Sequence, residues 1–313
     1  MTTRITALGY YQPPRILTND ELSTIVDTDD RWIRSRVGIQ QRHLAGDETV
    51  ADMATAAAAK AVSASALTAD EIDLVVVATC TSVDRVPNVA SRVARGLGMN
   101  GPAVFDLSTA CSGFSYGLAT ADHAIRAGAA RNALVIGAEK LSDFIDWQDR
   151  STCILFGDGA GAAVLTRAPD GTPDGIGPVV WGGVPELGDA VRIEGRDPRI
   201  QQDGQSVFHW TQTALAPLAL RACEQAGVRP SELAAFVPHQ ANLRIIEGLA
   251  RALGATGAVI ARDIVTSGNT SAASTPIALA KLVERGEVEQ GQPVLLFGFG
   301  GGLTYAGQVI RCP

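Results

Sequence analysis

Two stretches, "FDLSTACSGFSYGLATA" (105–121) and "RDIVTSGNTSAASTPIALAKL" (262–282), carry one pattern twice. In each, an aspartate and an apolar residue lead to a turn of small residues, and the turn opens a helix. Cys111 follows Asp106 by five residues and Asn269 follows Asp263 by six. A second echo joins "LTADEIDLVVVATCTS" (67–82) to "VRPSELAAFVPHQAN" (228–242), each an acidic turn before a buried strand. A weaker one joins "LVIGAEKLS" (134–142) to "LLFGFGGGLT" (295–304). Self-similarity on this scale means a duplicated unit. A duplicated α/β unit places the C-terminal ends of matched strands around one shared cleft.

The rest of the chain fits that plan. Short β-branched runs at 74–80, 133–139, 162–167, 234–240 and 293–300 predict buried strands. Amphipathic, Ala-rich stretches at 50–66, 88–98, 113–128, 208–227, 242–254 and 275–286 predict helices. Alternation of the two predicts an α/β layered fold. The expected halves are 1–167, carrying Cys111, and 168–313, carrying His239 and Asn269. Residues 168–205, rich in Gly, Pro and Asp, are expected to be a linker and surface loop.

Composition narrows the function classes. With 313 residues, 46% of them hydrophobic and 19% charged, the chain can bury a sizeable core. No apolar run approaches the ~18 residues of a membrane span, and "MTTRITALGYYQPP" lacks a signal-peptide core. Five cysteines without a C-x-x-C pair argue against a disulfide framework and a zinc ribbon, so a reduced, cytoplasmic protein is expected. A net charge of −7 argues against nucleic acid as a partner. Arginine outnumbers lysine, which suits fixed, planar contacts to phosphate or carboxylate.

Three residues stand out. Cys111 lies among Ala110, Ser112 and Gly113 at a helix mouth, where the helix dipole is expected to favour thiolate. His239 ends a strand in "FVPHQAN", and Asn269 sits in "SGNTSAAS". Each alone reads as packing, a hydrogen-bonded core group or a cap. Together, at matched strand ends of a duplicated fold, they read as a catalytic set. Cys80, Cys153, Cys223 and Cys312 are expected at a strand end, in a strand, on an apolar helix face and at the terminus. His43, His123 and His209 are expected in a charged loop, a helix and a helix start. "GDGAGA" (157–162) leads into a strand, so the dinucleotide fingerprint fails. "GFGGG" (298–302) is better read as close backbone packing at the site.

The chain resembles the β-ketoacyl-acyl-carrier-protein synthase III family of thiolase-superfamily condensing enzymes. The resemblance runs nearly end to end, through "DDRWIRSRVGIQQRH" (29–43), "FDLSTACSGFSYGL", "FGDGAGAAVL" (156–165), "VPHQANLRII" (237–246), "GNTSAAS" (268–274) and "GFGGG". It implies a thiolase-like fold, with duplicated halves in a layered α-β-α-β-α core, and a homodimer. It also implies a Cys111–His239–Asn269 triad and no metal or redox cofactor. Acyl-CoA and the phosphopantetheine arm of an acyl carrier protein would enter as substrates. By the same resemblance, backbone N–H groups of Cys111 and Gly301 would hold an oxyanion. Trp32, Arg36, Arg150 and Asn242 would contact CoA and its pantetheine. Gln240, Ala241, Asn242, Leu243 and Arg244 would meet the carrier, and Val86 would border the acyl pocket across the dimer.

There are departures. Val86 stands where the family often has a larger aromatic, the 183–206 segment is short, and His209 replaces a usual lysine or arginine. A thiolase would need a second cysteine near the C-terminal glycines, and "GFGGG" has none. A papain-like hydrolase would lack the repeat, and chalcone-synthase-like enzymes run longer. A related acyltransferase, or the priming ketosynthase of a secondary-metabolite pathway, stays open as an alternative.

Overall fold

The computed structural model describes residues 2–169 and 171–313. In chain order the strands are β1 (Thr3–Tyr11), β2 (Arg15–Thr18), β3 (Gln41–Leu44), β4 (Leu74–Ala78), β5 (Ala103–Leu107), β6 (Asn132–Glu139) and β7 (Gly159–Arg167). They continue as β8 (Val180–Gly183), β9 (Val191–Ile193), β10 (Ile200–Gln202), β11 (Ala235–Pro238), β12 (Val259–Ile260), β13 (Pro293–Gly300) and β14 (Thr304–Arg311). Two five-stranded sheets result, ordered β5-β4-β6-β7-β1 and β12-β11-β13-β14-β8. In the first, β4 runs parallel to β5 and β6, while β7 is antiparallel to β6 and β1. The second repeats this strand for strand. The duplication read from the sequence is thus a duplication of topology.

The layers follow from burial. Every residue of β4 and β6 is buried, which explains their unbroken apolar runs. The helices Gly113–Arg126 and Ser274–Glu284 lie between the sheets, where Phe114, Leu118 and Leu279 share a core with Val76, Val135, Val237 and Leu296. Helices Val50–Ala64 and Val89–Gly96 cover the outer face of the first sheet. Gly204–Thr213, Leu215–Gln225 and Leu243–Leu253 cover the second. The order is α-β-α-β-α. Local signals set the outer helix ends: Thr49 and Asp52 form a capping box, and Asn242 caps Leu243–Leu253, which Gly254 ends in left-handed geometry.

The halves meet through two matched turns. Ala110 and Ser271 are the two non-glycine residues with positive φ among those described, both at 46°. Each opens a 3-10 turn, Ala110–Ser112 or Ser271–Ala273, and each turn runs into a central helix. The turn 271–273 sits on Gly137 of β6, where a Cβ would stand 2.3 Å from the Ala272 carbonyl oxygen. The turn 110–112 sits on Gly298 of β13, where a Cβ would stand 3.0 Å from Ser112 Cα.

Five expectations change. Residues 168–205 supply β8, which completes the second sheet, and a β9–β10 hairpin beside the site. The helix expected over 208–227 breaks at Ala214, because Pro217 cannot donate to the Thr213 carbonyl. Cys153 ends a short helix, Arg150–Cys153, nucleated by the Asp149 side chain, and His43 lies on β3. The repeat register also differs: Cys111 matches Ala272, and Asn269 matches Ser108. The aspartates that suggested the other register do unrelated work. Asp106 accepts the Val89 and Ala90 N–H groups, and Asp263 pairs with Lys281 at 2.7 Å.

Gly137→Ala should destabilise the fold by about 1–3 kcal/mol through overpacking at the interface of the halves. Chemical denaturation tests this, and a wild-type midpoint would contradict the tight seating of the turn.

Candidate active site

Cys111 occupies the middle of the Ala110–Ser112 turn, with helix Gly113–Arg126 beginning two residues later. Gly300 presses against it: a Cβ there would lie 2.6 Å from Cys111 Cβ and 2.9 Å from its sulfur. Only glycine permits this approach, which accounts for "GFGGG". The N–H groups of Gly301 and of Cys111 itself, and the Ser271 hydroxyl, act on the sulfur. These contacts favour thiolate, but burial outweighs them and pushes the thiol up to about 11. The resting group is a thiol, contrary to the expectation of a thiolate from the helix dipole.

His239 follows β11 and is buried, with its N–H donated to the Phe297 carbonyl at 2.8 Å. Its Nδ1 lies 2.7 Å from Ser274 Oγ, and that hydroxyl accepts the Gln240 N–H at 3.2 Å. That hydroxyl still has its own proton to give to Nδ1, and with Nδ1 accepting it the ring proton sits on Nε2. Phe299 packs edge-on at 5.4 Å. Burial drives the imidazole down to about 3, so it stays neutral. Asn269 is 6% exposed, and its Oδ1 accepts the Ser271 N–H at 2.9 Å, leaving the amide N–H groups free to donate. Cys111, His239 and Asn269 line one cavity of about 560 Å³, together with Gly300 and Gly301. The structure brings the three together.

The same cavity reaches the surface past Trp32, Arg36, Ala241 and Asn242. The Asn242 amide donates to the Arg36 carbonyl at 3.3 Å. Arg150 stacks on Trp32, its Cζ 4.7 Å from the ring centroid, and Arg36 lies 5.8 Å from it. Arg150 donates to the Asp27 carbonyl at 2.8 Å. Arg244 is exposed and lies over Phe208 at 5.4 Å, whereas Leu243 packs against Gly38. Gln240 corrects an expectation. It is fully buried, with its amide committed to the Pro238 and Ala261 carbonyls and the Ile264 N–H, so it braces the backbone and meets no carrier. Val86, 89% exposed, lines neither cavity at Cys111 within the single chain.

Three residues escaped sequence reasoning. A second cavity of about 340 Å³ opens beside Cys111, lined by Cys80, Leu141, Phe156, Ile193, Ile200 and Ser271. Behind that lining lies the fully buried carboxylate of Glu139, which accepts the Ser271 hydroxyl at 3.0 Å. A charged residue ending the otherwise apolar run "NALVIGAE" was the available signal. Ser271 and Ser274, within "GNTSAAS", were hidden among other small residues.

The His239 shift has a stability consequence. The unfolded imidazole titrates near 6.5, and the folded one near 3. Above pH 6.5 both states are neutral. As pH falls from 6.5 towards 3, the unfolded chain takes a proton that the folded one refuses, so stability is lost. His239→Gln should lessen the fall in unfolding free energy between pH 7 and pH 5. An unchanged pH slope would contradict a buried neutral His239.

Comparison with known proteins bears on this geometry. Residues 105–183 match the family 3-oxoacyl-(acyl-carrier-protein) synthase III, and residues 223–312 match its C-terminal domain. The chain is 61% identical over 312 residues to β-ketoacyl-(acyl-carrier-protein) synthase III 4 of Streptomyces coelicolor, covering 99% of each. Among solved structures, it is 41% identical to the priming β-ketosynthase of a polyketide biosynthetic pathway, with a TM-score of 0.97 over 100% of this chain and 96% of that one. It is also 41% identical to 3-oxoacyl-(acyl-carrier-protein) synthase III of Aquifex aeolicus, with a TM-score of 0.93 over 99% of each. The chain belongs to the β-ketoacyl-acyl-carrier-protein synthase III family of thiolase-fold condensing enzymes.

Proposed function

We propose that the protein joins an acyl-CoA primer to a malonyl-carrier protein by decarboxylative condensation through an acyl-Cys111 intermediate. The observation that carries this is the convergence of Cys111, His239 and Asn269 on one cavity, with two backbone N–H groups at the sulfur. In the first half-reaction the Cys111 sulfur replaces CoA on the primer, a nearly thermoneutral thioester exchange. In the second, the malonyl thioester loses CO₂ and leaves an enolate, whose oxygen is met by the His239 Nε2–H and the Asn269 amide. The enolate carbon attacks the acyl-Cys111 carbonyl. The N–H groups of Cys111 and Gly301 receive the resulting oxyanion, and collapse returns the sulfur and releases a β-ketoacyl-carrier product.

Trp32, Arg36 and Arg150 would receive the adenine and phosphates of CoA, and Asn242 the pantetheine. The cavity lined by Leu141, Phe156, Ile193 and Ile200 would hold the primer chain. A second copy of the chain is part of the reading. β5 is an edge strand bearing Phe105 at 36% exposure, and the loop after its neighbour β4 exposes Val83 at 76% and Val86 at 89%. Such an apolar edge calls for a partner, and pairing there would bring Val86 to the other subunit's acyl pocket. The division into halves 1–167 and 168–313, the absence of a resident cofactor and a cytoplasmic setting belong to the same reading. The likeness to a priming β-ketosynthase supports a second version, with the same chemistry but a polyketide-pathway primer.

Mass spectrometry of Cys111 after exposure to a panel of acyl-CoAs, then to malonyl-carrier protein, tests the whole scheme. Cys111→Ala should form no adduct yet retain malonyl decarboxylation, and an adduct on Cys80 instead would reject the assignment. Asn269→Ala should slow decarboxylation about a hundredfold, the loss typical of one such donor, and leave self-acylation nearly intact. Equal losses in both half-reactions would contradict the enolate role.

Carrier docking is proposed at the exposed Arg244, with Arg251 further along the same helix. The protein's net charge of −7 would repel an acidic carrier, so local arginines must steer it. Arg244→Glu should raise the KM for malonyl-carrier protein, with the defect shrinking as salt rises. A KM indifferent to charge reversal and ionic strength would move the docking face elsewhere.

A further inference from the structure

We propose that Glu139, acting through Ser271, takes up the proton that leaves Cys111 when its sulfur is acylated. This rests on the reading of Cys111 as the nucleophile, and it answers a question that reading leaves open. A thiol attacking a thioester must give its proton to an acceptor, yet the groups so far placed at the sulfur all donate. The His239 Nδ1 is engaged by Ser274 and its proton belongs on Nε2, Asn269 presents an amide, and Gly301 and Cys111 present N–H groups.

The acceptor sits on the other side. Glu139 is fully buried at the end of β6. Thr79 accepts the Thr81 N–H at 3.2 Å, so its own proton goes to Glu139 at 3.1 Å. Thr81 accepts the Lys140 N–H at 2.9 Å and donates to Glu139 at 2.5 Å. The Cys80 N–H donates at 3.1 Å and the Ser271 hydroxyl at 3.0 Å. Burial raises the Glu139 carboxyl above its usual range, and the four directed donors oppose that shift and favour the anion. Ser271 neighbours Cys111 in the second cavity, and while its hydroxyl proton is on Glu139 its lone pairs are open to the thiol.

The proton balance closes. As the sulfur bonds to the acyl carbon, the Cys111 proton passes to Ser271 Oγ and the Ser271 proton passes to Glu139 Oε1. Collapse of the tetrahedral adduct breaks the bond to the CoA sulfur, which hangs from the same carbon. The proton returns along the same path to that sulfur, and Glu139 is again ionised. The other titratable groups facing this network are few. The Cys80 thiol lies 3.3 Å from Glu139 and is raised by burial, and His239 lines the cavity on the far side of the sulfur. The Lys140 ammonium turns away to the Gly46 carbonyl at 2.8 Å and to Asp143 at 3.5 Å.

The test is single-turnover acylation of Cys111 by acetyl-CoA, read by intact mass from pH 6 to pH 10, in wild type, Ser271→Ala and Glu139→Gln. Alanine suits the Ser271 backbone, because Ala110 holds the same φ of 46° in the matching turn. Loss of a general base typically costs about a hundredfold or more, so that is the deficit expected at pH 7. It should shrink towards pH 10, as the approach to the thiol's value of about 11 lets a growing fraction ionise without help. Malonyl-CoA decarboxylation, compared between Cys111→Ala and Cys111→Ala/Ser271→Ala, should agree within about twofold, as a relay confined to acylation requires. Wild-type acylation by Ser271→Ala at pH 7 would overturn the proposal, as would an equal loss of decarboxylation. Should Glu139→Gln fail to fold, Ser271→Ala decides alone. Absence of any adduct on wild-type Cys111 would instead remove the nucleophile assignment on which the proposal rests.

Discussion

The structure depends on a reciprocal backbone contact: each half seats its strained turn on a glycine in the central strand of the other. Gly137 in β6 receives the turn around Ala272, and Gly298 in β13 receives the turn around Cys111. No side chain fits between them, so two sheets of identical order come close enough to share one cleft. Everything catalytic is placed by that approach. The Cys111 turn is pressed against Gly300, which delivers the Gly301 N–H to the sulfur. The matching turn brings Ser271 to the sulfur's other side and holds Asn269 by its Oδ1.

The second constraint is electrostatic. Deep burial keeps both the thiol and the imidazole uncharged, with Cys111 pushed up and His239 pushed down. A neutral donor is what a nascent enolate needs, because an imidazolium would give its proton away and quench the carbanion. The buried carboxylate beside the thiol, Glu139, is surrounded by hydroxyl and amide donors rather than by a cation, so it remains a competent base without an ion pair to hold it. Charge is thus excluded from the side where the enolate forms and concentrated on the side where the thiol must lose its proton.

Much of this was legible in the chain. The long buried strands and the helices at 50–66 and 113–128 announced themselves because packing there needs regular apolar spacing. Cys111 and Asn269 were visible because small neighbours clear space around each, and His239 because it ends a buried strand. Residues 168–205 were misread because β8 is an edge strand of four residues with only Val180 buried, too short and too exposed for a periodic signal. The register of the repeat was misjudged because aspartates look alike in sequence. Asp106 caps a helix and Asp263 pairs with a lysine, and neither job marks the turn. The acidity of Cys111 was misjudged for a different reason. A helix dipole can be read from spacing, whereas desolvation depends on neighbours from β13 and the Ser271 turn, distant in the chain.

The stack of Arg150 on Trp32 has a kinetic consequence. An indole whose face already carries a guanidinium offers a nucleotide an exchange of partners and only a small net gain. On the proposed assignment, the adenine displaces Arg150 from one face and acquires it on the other. Free CoA keeps the same handle after it has delivered its acyl group, so a strongly attractive rim would retain the spent product and block the tunnel. A rim that closes on itself shortens the residence of that product. The carrier's arm, which bears no adenine, can then follow down the same passage without contending for the indole.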